Sequence, residues 1–303
     1  MSDRTKKLAY LLFLTTPAVP LLSWWLGQAT GYINVFAWLT VIEVYGLIPV
    51  VDYLVGEDRL NPDDSSEDSM RTDLWYKLLL WSCLPVMLAL IPWAAYQYLH
   101  AGFSWVGKLG WILSVGIVSS TLAINAAHEL IHKRSKGERL MGGVLLSLVC
   151  YAGFKIEHVR GHHVNVATPE DASTARRGQS IYQFVPRAWL HNFVNAWRLE
   201  AQRLQYRGHS AWHWRNELIW WYALSTAIAI ALDTWLGSAA VAFFLLQAAV
   251  AFTFLEVVNY LEHYGLERRR VGQGRYERTT HLHSWNSDYL LTNLLLFQLQ
   301  RHS

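Results

Sequence analysis

The sequence predicts an all-α membrane protein: a six-span transmembrane helix bundle with a histidine-rich region at its cytoplasmic face. Three observations predict it. Hydrophobic residues make up 52% of the 303-residue chain and charged residues only 16%, against about 25% charged in a typical soluble domain. Six apolar stretches are each long enough to cross a bilayer core, which takes roughly 20 residues. Lys and Arg fall almost wholly on one side of those stretches, the asymmetry that sets orientation. The same composition excludes a disordered chain. Two cysteines, Cys83 and Cys150, exclude a disulfide scaffold, and the few charges exclude a coiled coil.

The spans are read near 8–26, 33–55, 76–99, 109–127, 218–236 and 239–258. Arg4, Lys6 and Lys7 place the N-terminus in the cytoplasm. The apolar run that follows is too long for a signal peptide and has no small-residue cleavage site, so it reads as a retained span. Pro17, Pro20, Pro85 and Pro92 fall inside spans, which membrane helices tolerate. The turns at 27–32 and 237–238 carry no Lys or Arg, so of 26 basic residues only Lys108 lies on the outer side. Four regions result. Residues 1–127 hold four spans with a cytoplasmic loop at 56–75. Residues 128–217 form a cytoplasmic histidine-box region, in which Met141–Phe154 is too short to span and reads as a re-entrant or interfacial helix. Residues 218–258 hold the fifth and sixth spans, and 259–303 are cytoplasmic. Trp24, Trp25, Trp38, Trp220 and Trp221 read as interfacial anchors.

Twelve of the thirteen histidines fall on the cytoplasmic side; His100 is the exception. The fourth span runs into NAAHELIHK, where His128 and His132 are one helical turn apart and share a face. In KIEHVRGHHVNVATPEDAS, His158 and His162 repeat that spacing and His163 adjoins them; His263 closes the sixth span. Such grouping at one membrane face points to metal binding. For His191, His209, His213, His281 and His283 an ordinary surface or core role is the simpler reading. HELIH alone fits a zinc protease with Glu129 as general base, yet catalytic zinc takes three protein ligands and a water. The histidines oversupply one such ion, so two metals are more natural. A ferritin-like di-iron site needs two Glu-x-x-His motifs, and only Glu129–His132 is present. Imidazole suits iron, zinc or copper alike, so spacing leaves the metal open.

Taken together, HELIHK, EHVRGHHVNVATPEDAS, NYLEHYGL and HSWNS…LQRHS resemble the integral-membrane alkane 1-monooxygenases, the alkane omega-hydroxylases of the membrane fatty acid desaturase and hydroxylase superfamily. The resemblance runs over almost the whole chain. It implies a non-haem di-iron centre, O2 as oxidant and hydroxylation of the terminal methyl of a medium- or long-chain n-alkane to a 1-alkanol. Carried over by position, it implies His128, His132, His158, His162, His163, His263 and His302 as iron ligands. In that family the last box continues with Asp-His-His, whereas this chain stops at Ser303, so a fragment lacking its C-terminal part is expected. An unactivated C–H bond offers no acid or base handle, so a redox metal carries the chemistry and no separate side-chain acid or base is assigned. Carboxylates and amides that orient imidazoles are expected among Asp52, Glu129, Glu157, Asp171, Glu256, Asn259 and Glu262.

No dinucleotide-binding glycine pattern, CxxC pair or haem motif is present, so electrons come from another protein. The resemblance implies rubredoxin, reduced by an NADH-dependent reductase, and a bacterial inner membrane; nothing points to nucleic acid. Arg268, Arg269, Arg270, Arg275 and Arg278 follow His263 and form a patch able to steer an acidic partner. Three readings compete: a related membrane di-iron enzyme (a xylene-type methyl monooxygenase or fatty-acyl desaturase), a membrane zinc metalloprotease, and an inactive metal-binding fragment.

Overall fold

The computed structural model describes residues 7–57, 73–272 and 274–296; most of the loop at 56–75 and His302 lie outside them. Among the described residues the chain is helical apart from one short hairpin. The first apolar stretch is a bent pair, Lys7–Thr15 and α1 (Ala18–Thr30), meeting at 46°. Pro17 stands at the break, where its missing N–H cannot extend the hydrogen-bond ladder. Residues 33–55 follow as short pieces, Ile33–Phe36, Leu39–Ile42, a π-turn Glu43–Leu47 and Ile48–Val55. Pro49, without a donor, follows that π-turn.

Four helices are single, long and apolar enough to cross a membrane: α2 (Leu74–His100), α3 (Trp105–Ile131), α6 (Glu217–Leu236) and α7 (Ser238–His263). The bent pair makes a fifth; the second expected span, at 33–55, is broken into short pieces and is not among the helices long enough to cross. Since α2–α3 and α6–α7 are each joined by a short connection, Leu74, Ile131, Glu217 and His263 end on one side of the bundle.

The central helix is α3, packed on α7. Gly116 makes that approach possible, because a Cβ there would overlap Val250. The buried polar groups between the two are satisfied, as a lipid-embedded core requires. Ser119 donates to Gln247 (2.7 Å), and the Gln247 amide donates to the Leu148 and Phe244 carbonyls (3.2 and 3.0 Å). Trp111 fills the layer between α2 and α3 and donates to the Ala94 carbonyl (3.0 Å).

On the side where Ile131 and His263 end, α4 (Lys136–Ser147) starts at the Ser135 cap, whose hydroxyl accepts from the Glu138 N–H. The apolar run at 141–154 is therefore the second half of a helix that ends at Ser147, followed by a tight loop. A 25-residue helix, α5 (Ile181–Gln205), begins in a Ser180/Gln183 capping box. From sequence this region is expected only as part of the cytoplasmic histidine-box segment, with no long helix in it. The inward stripe of α5 mixes Phe184, Val185 and Ala188 with Asn192, Asn195 and Glu200, which blunts its apolar periodicity. Phe184 and its neighbours pack on Val257 and Tyr260 of α7. The hairpin β1 (Arg270–Gly272) and β2 (Arg275–Tyr276) is antiparallel. A last short helix, α8 (Leu290–Leu295), is tied to Asp52, whose carboxylate accepts from the Leu291 and Thr292 N–H groups (3.0 and 3.2 Å) and from the Thr292 hydroxyl.

Candidate metal centre

Two departures from regular α-helix shape the site. In α3 a π-turn, Ser120–Asn125, immediately precedes Ala126–Ile131, which carries His128. A second π-turn spans His158–His162, between Phe154–Glu157 and His163–Asn165. Single π-turns inserted into helices recur at functional sites because they re-aim side chains. Regular helix would pair His158 with His162. The wider turn instead brings His158 and His163 together, with Nε2 atoms 3.0 Å apart. Gly161 permits this turn, since a Cβ there would overlap the Glu157 carboxylate and lie 3.0 Å from the Asn195 amide.

His128, His132, His158 and His163 converge so that one ring nitrogen from each lies within 4.8 Å of all the others. His128 and His158 are buried, whereas His132 and His163 are exposed. Two nitrogens each about 2.1 Å from one ion are at most about 4.2 Å apart, so a slight closure puts all four on a single ion. Although its edge is open to solvent, the His163 ring is desolvated where it faces the cluster, which pushes it down to about 4, and His162 and His132 act in the same direction. Burial also lowers His132 against the opposing pull of Glu129. Both shifts favour the neutral ring, the form that offers a lone pair to a metal.

His162 faces a different partner. Its ring lies 4.9 Å from that of His263, making a second imidazole pair beside the first four. Its Nδ1 donates to Asp171 (3.1 and 3.2 Å to the two oxygens), which leaves Nε2 to face the site. Burial works against the His162 charge, but Asp171 outweighs it and lifts the imidazole well above its ordinary value. Burial would raise the Asp171 carboxyl; His162, the Thr174 hydroxyl and the Ser173 N–H together hold it below the usual range. The loop VATPEDAST aims Asp171: Thr174 donates to it at 2.5 Å and accepts from the Ala167 N–H at 2.9 Å. Ala167 takes a left-handed φ of 58° to allow this, a costly conformation for a residue with a Cβ. The His263 Nδ1 donates to the His283 carbonyl (3.0 Å), again leaving Nε2 free. An imidazole whose second nitrogen is held by a carboxylate or carbonyl is the standard arrangement of a metal-binding histidine. The all-nitrogen donor set and its spacing therefore fit a transition metal; at His162 a bound cation would take the place of the Nε2 proton that Asp171 favours.

The other expected residues take varied places. Glu157 is buried, accepts from Asn195 (3.2 Å), and is pushed up to about 7 by burial and then by Asp171. Glu256 is buried in α7 and accepts from Tyr151 (2.5 Å), Asn192 (2.8 Å) and Asn259 (3.2 Å). Glu262 is half-buried in the last turn of α7 and acts electrostatically on His162. Asp52 holds α8. Glu129 turns to Lys133 (2.5 Å), partly exposed. Among the arginines, Arg268 braces the hairpin by donating to the Val164 carbonyl (2.8 Å). Arg269, Arg270, Arg275 and Arg278 are exposed. Asn192 is not among the residues expected from sequence, and His283 is expected there only as an ordinary surface or core residue. His283 acts through its backbone carbonyl, which leaves no trace in side-chain type.

The fatty acid desaturase family model matches residues 103–303. Alkane 1-monooxygenase 2 of Pseudomonas aeruginosa is 52% identical over 303 residues, covering 99% of this chain and 80% of the relative. The chain belongs to the alkane 1-monooxygenase family. Alkane 1-monooxygenase 2 of Alcanivorax borkumensis is 48% identical, covering 99% and 79% of the two chains. The hydroxylase component of xylene/toluene monooxygenase of Pseudomonas putida is 34% identical over 160 residues, covering 52% and 43%. Membership agrees with the apolar helices of a membrane protein, with an iron cofactor at the histidine cluster and with dependence on an electron-transfer partner.

Proposed function

We propose that this alkane monooxygenase family member uses O2 to hydroxylate the terminal methyl of medium- or long-chain n-alkanes at two irons held by His128, His132, His158, His162, His163, His263 and His302. The observation that carries the ligand assignment is the convergence of four imidazoles, with His162 and His263 alongside, at one end of the apolar helices. Bound iron supplies the O2 activation that an unactivated C–H bond demands. The protein supplies placement. Asp171 and the His283 carbonyl fix two imidazoles with Nε2 inward, and the Glu256, Tyr151 and Asn192 network ties α5 to α7 beneath them.

A narrow cleft of about 60 Å³ between α3 and α7 reaches His128 and is lined largely by Ile124, Leu255, Val258 and Leu296. Its largely apolar lining suits an alkyl chain, and His128 in that lining would bring part of the chain beside the metal centre. We read the membrane as a bacterial inner membrane crossed six times, with the N-terminus and the histidine face cytoplasmic; the single outer basic residue supports this. Rubredoxin, served by an NADH-dependent reductase, is the proposed electron donor. The exposed Arg269, Arg270, Arg275 and Arg278 suit its acidic surface, while Arg268 is a brace. Glu129, paired with Lys133, gives no support to a zinc protease. The test supplies the full-length protein with rubredoxin, reductase and NADH, and feeds octane, xylene or a fatty acyl substrate. The expected result is 1-octanol and iron in the protein. Zinc without iron, or desaturated acyl product alone, would overturn the proposal.

A further inference from the structure

An open cleft of about 420 Å³ lies outside the histidine cluster, on the side where α3 ends and α6 begins. Four cations line it, Lys136 and Arg139 of α4 with Lys155 and Arg160, against one carboxylate, Glu217. Glu217 pairs with Lys155 and lies 3.5 Å from Arg160. Glu200 also pairs with Arg160 (3.0 Å), but Arg203 matches its charge (2.5 Å). Glu138, on the same helix as Lys136 and Arg139, accepts from the Trp81 indole instead (3.2 Å). Among the described residues, the Lys136 ammonium has no hydrogen-bond or ion-pair partner. Arg139 donates only to the Lys133 and Arg134 carbonyls (3.0 and 2.7 Å), which orient the guanidinium without neutralising it. Four cations thus line the cleft against one carboxylate; Lys155 and Arg160 are paired with Glu217 and Glu200, and the two cations without a carboxylate partner, Lys136 and Arg139, lie on one helix.

The remaining lining is apolar. Ile131 is the last residue of α3, Trp221 lies in the second turn of α6, and Leu140 is exposed beside Lys136. Cations and apolar side chains thus share one cleft at the level where two spans leave the membrane. A free phosphate would use only the cations. We propose that this cleft binds the phosphodiester head group of an anionic membrane phospholipid, with its acyl chains running along the apolar side. Basic pockets between membrane helices take anionic head groups in this way. Arg160 belongs to the π-turn that carries His158 and His162, so the head group contacts the segment that builds the metal centre.

The test titrates the full-length protein in detergent with dioleoylphosphatidylglycerol or dioleoylphosphatidylcholine and counts bound lipid by native mass spectrometry. The wild type should hold the anionic lipid in clear preference. Lys136→Ala should weaken it about fivefold, and Lys136→Ala with Arg139→Ala about 25-fold, at the usual worth of a cation near an anionic surface. Thermal melting checks the fold; should the double variant not fold, the exposed Lys136→Ala carries the test alone. Equal anionic-lipid occupancy in wild type and Lys136→Ala overturns the proposal. So does complete displacement of the lipid by millimolar inorganic phosphate, which would mark a soluble-phosphate site. Unchanged lipid binding with a lost rate of electron uptake from an acidic donor protein also overturns it, since the cleft would then be a protein-docking site.

Discussion

Replacing Asp171 by Asn keeps the side chain's size and removes its charge. Asp171 is buried and accepts from three donors: His162 Nδ1, shared between its two oxygens (3.1 and 3.2 Å), the Thr174 hydroxyl (2.5 Å) and the Ser173 N–H (3.2 Å). The amide oxygen still accepts, but a charge-assisted bond becomes a neutral one, and its NH₂ now faces a donor. Hydrogen bonds to charged groups contribute about 1.5–3 kcal/mol. Loss of the partner that orients a metal-binding imidazole lowers metal affinity about 10- to 100-fold, or about 1.4–2.7 kcal/mol. The two estimates agree, so Asp171→Asn should lower iron affinity by one to two orders of magnitude. Competition against a chelator, read as iron per chain after equilibration at fixed pH, measures it. Iron affinity equal to that of the wild type would refute the claim that Asp171 acts by orienting His162.

Three further outcomes follow from the geometry. Gly161→Ala puts a methyl into the Glu157 carboxylate and against Asn195, and overpacking of this kind costs about 1–3 kcal/mol. Both melting temperature and iron content should fall. Glu200 is held below the ordinary carboxylate range: burial raises it, but bonds from Arg203, the Glu217 N–H and Arg160 prevail. A depressed folded value means that its stabilisation is complete above about pH 4.5, where the unfolded carboxyl ionises, and is lost as the pH falls through the folded value. Melting scans from pH 3.5 to 7 should therefore show a steeper acid loss in wild type than in Glu200→Gln. Val258→Phe should shorten the cleft that reaches His128, and product analysis over C6 to C16 alkanes should show the longest substrates lost first.

The site was readable from sequence where its residues obey regular helix geometry. His128 and His132 lie one turn apart in helix, and the structure brings them into one cluster. The 158–163 box was readable only as a group. A π-turn, which no residue pattern announces, pairs His158 with His163 and turns His162 to Asp171. Asp171 stood among seven candidate carboxylates and amides; only the loop that threads Ala167 and Thr174 beneath it selects it. The long apolar helices were legible because apolar length is sufficient evidence for a span. In contrast, α5 was missed because its buried face carries Asn and Glu, and the stretch at 33–55 conceals its breaks within an unbroken apolar run.

The central claim is that this histidine cluster supports oxygen transfer to an alkane terminus. Incubating the full-length protein with octane, 18O2, rubredoxin, reductase and NADH tests it most directly, by mass spectrometry of the alcohol. The account predicts 1-octanol carrying one 18O atom, absent from His158→Ala. Absence of 1-octanol in wild type, or 1-octanol with oxygen from water, would contradict it.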